Sequence, residues 1–179
     1  MGADTKALRT RIKSVRSTMH LTKAMGLVAS SKIRRANDAM HKAADYAGAL
    51  SDMTAVLLRC PECAKSPYLR QEGDRTRLIV IAGDRGLAGG YNANVFRLAQ
   101  EYPEAELLPI GKRACDRCAK PFVSSETFSG KDAHNWAKTL CAGFAAGEYD
   151  RLGIVYTRYV SMMTQEATVR WVLPLTRPE

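Results

Sequence analysis

No proline precedes Pro61 and no phenylalanine, tryptophan or tyrosine precedes Tyr46 in this 179-residue chain. Without proline, nothing in the first third removes a helical hydrogen bond or forces a kink, and only Gly26 and Gly48 carry a marked intrinsic helix penalty there. Without aromatic residues, the same stretch lacks the flat faces on which nucleic-acid bases stack. Acids are scarce as well. Asp4 stands alone against Lys6, Arg9, Arg11, Lys13, Arg16, Lys23, Lys32, Arg34 and Arg35, so most of the formal net charge of +9 is carried before residue 36 and the remainder is nearly neutral. No apolar run approaches the roughly 18 residues needed to cross a bilayer as a helix. Neither GxGxxG nor GxxxxGK[ST] occurs, and there is no nucleophile-elbow or metalloprotease spacing. His20, His41 and His134 stand singly. No residue is nominated as nucleophile or general base.

What is present is periodicity. Leu8, Ile12, Val15 and Met19 are spaced four, three and four; after a shift near Leu21 the pattern resumes through Met25, Val28, Ile33, Ala36, Met40, Ala43, Ala47, Leu50 and Leu57. That is close to a 3.5-residue period, the spacing of a coiled-coil seam. The spacing predicts one helix over residues 5–58, roughly 80 Å long at 1.5 Å per residue. A single narrow stripe on so long a helix calls for a helical partner, and the basic first half calls for an acidic one. A solvated charged face, an acidic protein surface, a transit peptide and a nucleic-acid contact are the readings of that charge. The first two suit the composition best, and a basic nucleic-acid-binding module is the alternative from a different class.

Residues 60–76 hold prolines, a glycine and many charges, and read as a linker loop. From Arg77 the pattern becomes alternating strand and helix. Residues 77–82 (RLIVIA) read as a strand covered on both faces, the glycine-rich stretch 83–92 as a turn, and residues 92–102 as a helix in which Val95, Leu98 and Ala99 have helical spacing. A strand over 105–111, a short helix or turn over 111–120 and a further strand over 121–128 follow. Residues 131–149 read as a helix with Ala133, Trp136, Ala137, Leu140, Cys141 and Phe144 on one side. Residues 151–160 and 166–175 close the chain as strands whose short connection makes them antiparallel. The expected fold is α/β: a coiled-coil-type helix over 1–59, the linker over 60–76, and a Rossmann-like mixed-sheet domain over 77–179.

Two features invite ligand readings. The glycines at 83, 86, 89 and 90 sit between strand and helix, a phosphate-binding context, but they match no nucleotide fingerprint, and a tight turn in which Asp84 and Arg85 pair or cap is the plainer reading. Cys60/Cys63 and Cys115/Cys118 form two CxxC pairs. Zinc would require both pairs to converge; otherwise they are unrelated thiols, reduced in a cytosolic setting since no secretory signal is evident.

Residues 12–36 (IKSVRSTMHLTKAMGLVASSKIRRA) and 82–94 (AGDRGLAGGYNAN) together closely resemble the gamma subunit family of F-type ATP synthases, and residues 154–175 are similar to that family's terminal strand pair. The resemblance implies a non-catalytic central-stalk subunit. Its N-terminal helix would be half of an antiparallel coiled-coil shaft turning within the alpha and beta subunits, and its Rossmann-like domain a foot near the epsilon subunit and the membrane c-ring. It implies ATP synthesis driven by proton flow, a peripheral position on the cytoplasmic face of a bacterial plasma membrane, and no cofactor, metal, small-molecule substrate or nucleic acid. Lys23, Met25, Arg34 and Arg35 match the family's motif and are implied as contacts to an acidic loop of the catalytic subunits. The chain departs from the family at Gly26, where Glu is usual, and at Ala88, where Cys is common. The resemblance runs to the end of the sequence, ahead of the family's ring-contacting segment and C-terminal helix, as expected for a fragment, a frameshifted product or a repurposed homologue.

Overall fold

The computed structural model describes residues 2–176, and it divides the chain into two units, residues 1–57 and 58–179. The first is all helix. Helix α1 spans Gly2–Arg59 without interruption, starting a turn earlier than the apolar periodicity and ending where Pro61 holds Cys60 extended (φ −70°, ψ 130°). Hydroxyl residues cost little within it, because Thr10, Thr18, Thr22, Ser30 and Thr54 each donate to the carbonyl four residues back.

The second unit is built on a four-stranded sheet, ordered β2-β1-β3-β4. β1 (Thr76–Ile81), β2 (Glu106–Ile110) and β3 (Arg151–Tyr159) are parallel, and β4 (Gln165–Leu173) returns antiparallel to β3. Alternation along β1 divides its apolar run between two layers. Leu78 and Val80 face helix α2 (Tyr91–Ala99) and pack with Val95, Ala99, Ala114 and Val155. Ile79 faces the other way, toward helix α4 (Gly130–Ala145) and the cluster of Leu140, Phe144, Tyr149, Leu152 and Leu173. A short helix α3 (Lys112–Cys118) follows β2. Gly153 on β3 leaves room for its neighbours: a Cβ there would meet the Leu78 side chain at 2.8 Å and the Trp171 ring at 3.1 Å, so both would have to shift.

Three expectations are corrected. Residues 121–128 form no strand; Val123 supplies one carbonyl to Gly111 N–H at 2.7 Å, and Ser124–Glu126 then bend away to bond Asp84. Helix α4 buries only its C-terminal half. Leu140, Gly143 and Phe144 are inside and Cys141 and Trp136 half-buried, but Ala133 and Ala137 are exposed, because only the C-terminal turns pack with Tyr68, Tyr149 and Leu152. Its N-terminus is held by a capping box, Ser129 Oγ accepting from Asp132 N–H and the Asp132 carboxylate from Ser129 N–H at 2.9 Å. The Ser129 hydroxyl, donating to the Asp132 carboxylate at 2.6 Å, and then the Ser129 N–H lower the Asp132 pKa.

The segment read as a linker is also folded. Residues 61–65 and 67–69 are short 3-10 turns, and Tyr68 stacks on Phe144 with ring centroids 6.3 Å apart while its carbonyl accepts from Leu175 N–H at 2.7 Å. Arg70 donates to the Phe144 carbonyl at 2.9 Å. Asp150, 5% exposed, accepts from Arg75 N–H at 3.1 Å and from its guanidinium at 2.9 and 3.0 Å. Those hydrogen bonds to Arg75 hold the Asp150 carboxyl below its ordinary range. Arg70 and Arg75, two of the charges in the stretch read as a linker, are therefore bonded to the sheet domain.

Candidate functional site

The most distinctive surface belongs to α1. Its apolar seam is open along its length: Leu8, Ile12, Val15, Met19, Met25, Val28, Ile33, Met40, Leu50 and Leu57 are all exposed, from 39% at Ile33 to 61% at Val15. A helix turns about 100° per residue, and on that wheel Arg9, Lys13, Arg16, Lys23 and Arg34 fall within about 80° of one another, with Lys6 and Arg35 at the edge of the same stripe. Among the residues expected to contact a partner, Lys23 and Arg34 lie within about 20° on one face, about three turns apart. Arg35 stands at the stripe's edge, about 120° from Lys23. Met25 lies on the other side of the helix, at about 200° from Lys23, with Val28 and Ala36 in the seam. All four are exposed. The cationic stripe and Met25 thus lie on different sides of the helix, with Arg11 and Lys32 beside Met25, about 40° and 20° away.

The glycine-rich turn after β1 is bound by the chain itself. Asp84 Oδ1 accepts from Lys112 N–H at 2.9 Å and Ser125 N–H at 3.0 Å, and Oδ2 from Glu126 N–H at 3.2 Å and the Ser124 hydroxyl. Burial alone would raise the Asp84 pKa, but these four donors outweigh it and hold the carboxyl well below the ordinary carboxylate range. Arg85 pairs with Glu126 at 2.8 Å rather than with Asp84, and Gly83 N–H donates to the Asn92 side chain at 2.8 Å. The carboxylate thus caps α3 and ties the turn to residues 124–126. Sequence reasoning missed Ser124 and Ser125 as its partners; paired serines are better turn formers than strand formers, and that was the available signal.

The cysteines do not converge. Among the described residues no three of His, Cys, Asp and Glu come together as metal ligands. Cys115 is buried with its thiol directed at the Pro109 carbonyl at 3.7 Å, while Cys60 is exposed at the end of α1. Burial pushes the Cys118 thiol up.

A long helix carrying an apolar seam and a cationic stripe, followed in sequence by a Rossmann-like mixed-sheet domain, is the class of protein that the fold defines. Residues 4–179 match the family model described as ATP synthase. The ATP synthase gamma chain of Geobacter sp. (strain M21) is 32% identical over 190 residues, covering 97% of this chain and 66% of that one. The gamma chain of Ruminococcus albus is 36% identical, with 99% and 68% covered, and the one described as sodium ion specific from Acetobacterium woodii is 35% identical, with 100% and 64% covered. In fold, the chain is similar to a chain in the central stalk/c-ring structure of the Tetrahymena thermophila mitochondrial ATP synthase (TM-score 0.63, 20% identity, covering 89% of this chain and 79% of that one). The chain belongs to the ATP synthase gamma-chain family. It spans about two thirds of the length of the curated relatives it matches. No helix among the described residues is long and apolar enough to cross a membrane.

Proposed function

We propose that this chain acts as the central-stalk rotor subunit of an F-type ATP synthase, coupling proton flow to ATP synthesis by turning inside the ring of alpha and beta subunits. The single observation that carries this reading is the open seam of α1, a 58-residue helix whose apolar stripe has no partner among the described residues. Burying such side chains is worth about 1.5–3 kcal/mol each, so a second helix laid along the stripe is the occupant its period suits. In this reading residues 1–59 are one half of the shaft, residues 60–76 join it to the foot, and residues 77–179 are the foot, next to the epsilon subunit and the c-ring. The chain is non-catalytic, and the complex that holds it sits peripherally on the cytoplasmic face of a bacterial plasma membrane.

Lys23, Arg34 and Arg35 form the cationic bearing against an acidic loop of the catalytic subunits, and Met25 is an apolar contact on the other side of the helix. Rotation requires that each contact be weak, since a deep well at one angle would stall the shaft. Exposed ion pairs of about 0–1 kcal/mol meet that requirement. Met25→Lys adds a cation beside Arg11 and Lys32, on the side of the helix away from Lys23 and Arg34, creating an extra attraction at one angle. The expected result is fewer protons pumped per ATP hydrolysed in the reconstituted complex, with assembly intact. Unchanged pumping per ATP in that variant would overturn the bearing assignment, and failure of the parent chain to assemble with alpha and beta subunits would overturn the rotor reading itself.

A further inference from the structure

The sheet domain has an apolar groove that its own chain leaves open. Helix α2 lies over β1, β3 and β4 and the short helix α3 packs against edge strand β2, and a gap remains between α2, β2 and α3. There a cavity of about 430 Å³ is floored by Val80 and Leu107 and walled by Phe96, Ala99 and Tyr102. That volume is within the usual range for small-molecule sites. One end is cationic. Arg117 and Lys120, both exposed and in no ion pair among the described residues, stand at the mouth, with Arg117 lying over the Phe96 ring at 5.1 Å. The single acidic residue in the wall, Glu106, gives its carboxylate to Arg77 at 2.6 Å. Arg77 faces the opposite side of the sheet, where its guanidinium lies over the Tyr149 ring. The groove therefore combines an apolar floor with two unmatched positive charges at one end.

We propose that this groove binds a small amphipathic anion of the medium-chain fatty-acid type, its chain lying along Val80, Ala99 and Leu107 and its carboxylate held by Arg117 and Lys120. Charge complementarity selects the carboxylate over a neutral apolar ligand, because an uncharged chain would fill the floor and leave both cations unanswered. The proposal does not depend on the rotor reading.

Cys118 lines the groove and reports on it, whereas Cys60 lies outside it. The test is site-resolved alkylation of the protein by N-ethylmaleimide with octanoate as the probe, followed by mass spectrometry. It is run at alkaline pH because burial raises the Cys118 pKa. Octanoate should slow Cys118 alkylation saturably and leave Cys60 unaffected. The R117Q/K120Q variant, altered only at exposed positions, should raise the half-saturating octanoate concentration about tenfold, equivalent to one charged contact. Leu107→Trp, which fills the floor, should abolish protection. Absence of saturable protection, equal protection by 1-octanol, or an unshifted half-saturation in R117Q/K120Q would overturn the proposal.

Discussion

Asp84→Asn tests whether the glycine-rich turn is a structural tie. The substitution keeps the side-chain shape and replaces one carboxylate oxygen by an NH2 group. In the cheaper orientation the amide oxygen keeps Lys112 N–H and Ser125 N–H, the Ser124 hydroxyl turns to accept, and Glu126 N–H loses Oδ2 and faces another donor, keeping only its bond to Ser124 Oγ at 3.2 Å. One backbone bond to a charged group is lost, and the other bonds fall from charge-assisted to neutral strength. Hydrogen bonds to charged groups contribute about 1.5–3 kcal/mol against 0.5–1.5 for neutral ones. Discounted for partial exposure, the net loss is about 2 kcal/mol. Urea unfolding followed by Trp136 and Trp171 fluorescence should show a midpoint lower by about 1 M at pH 7, given a slope near 2 kcal/mol per M. The sign of the pH dependence follows from the depressed folded pKa. The carboxylate's contribution is complete above its unfolded pKa of about 3.9 and is lost as pH falls toward the folded value. The gap between parent and variant should therefore narrow below about pH 4. Equal midpoints at pH 7, or a gap undiminished in acid, would refute the tie.

Gly111 has φ +96°, and a Cβ there would overlap the Ala82 carbonyl oxygen. Ala82 cannot retreat, because its N–H donates to Ile110 at 2.9 Å. Gly111→Ala should cost at least about 3 kcal/mol, and a thermal midpoint within a few degrees of the parent would contradict the geometry. The open seam predicts that the 179-residue chain self-associates as its concentration rises, and that I12Q/V15Q shifts sedimentation equilibrium toward monomer; a parent that stays monomeric throughout would count against an adhesive seam.

Much of the fold was legible in the sequence because its signals are local. The 3.5-residue period without proline predicts α1 to within a turn at either end, and the β-branched run at 78–81 predicts β1. The misreadings share one cause. Residues 121–128, 60–76 and the first half of 131–149 have local patterns that fit strand, linker and amphipathic helix. Their partners lie far along the chain: Ser124 and Glu126 with Asp84, Arg75 with Asp150, and Tyr68 with Phe144 and Leu175. Hydrogen bonds and packing at such separations override local preference, and no window of sequence contains both halves. The candidate contact residues divide in the same way. Lys23, Met25, Arg34 and Arg35 were found by motif, but only the helix wheel separates Met25 from the cationic stripe.

By itself the sequence determined that a long basic helix with an apolar stripe precedes an α/β domain, because charge placement and helical period are properties of neighbouring residues. The tertiary structure decided what the glycine turn, the cysteines and the edge of the sheet can do. Asp84 is bonded to the chain's own donors, the two CxxC pairs do not come together as metal ligands, and β2 is left with an open groove closed at one end by two cations. Each of these depends on distances between residues that only packing brings together.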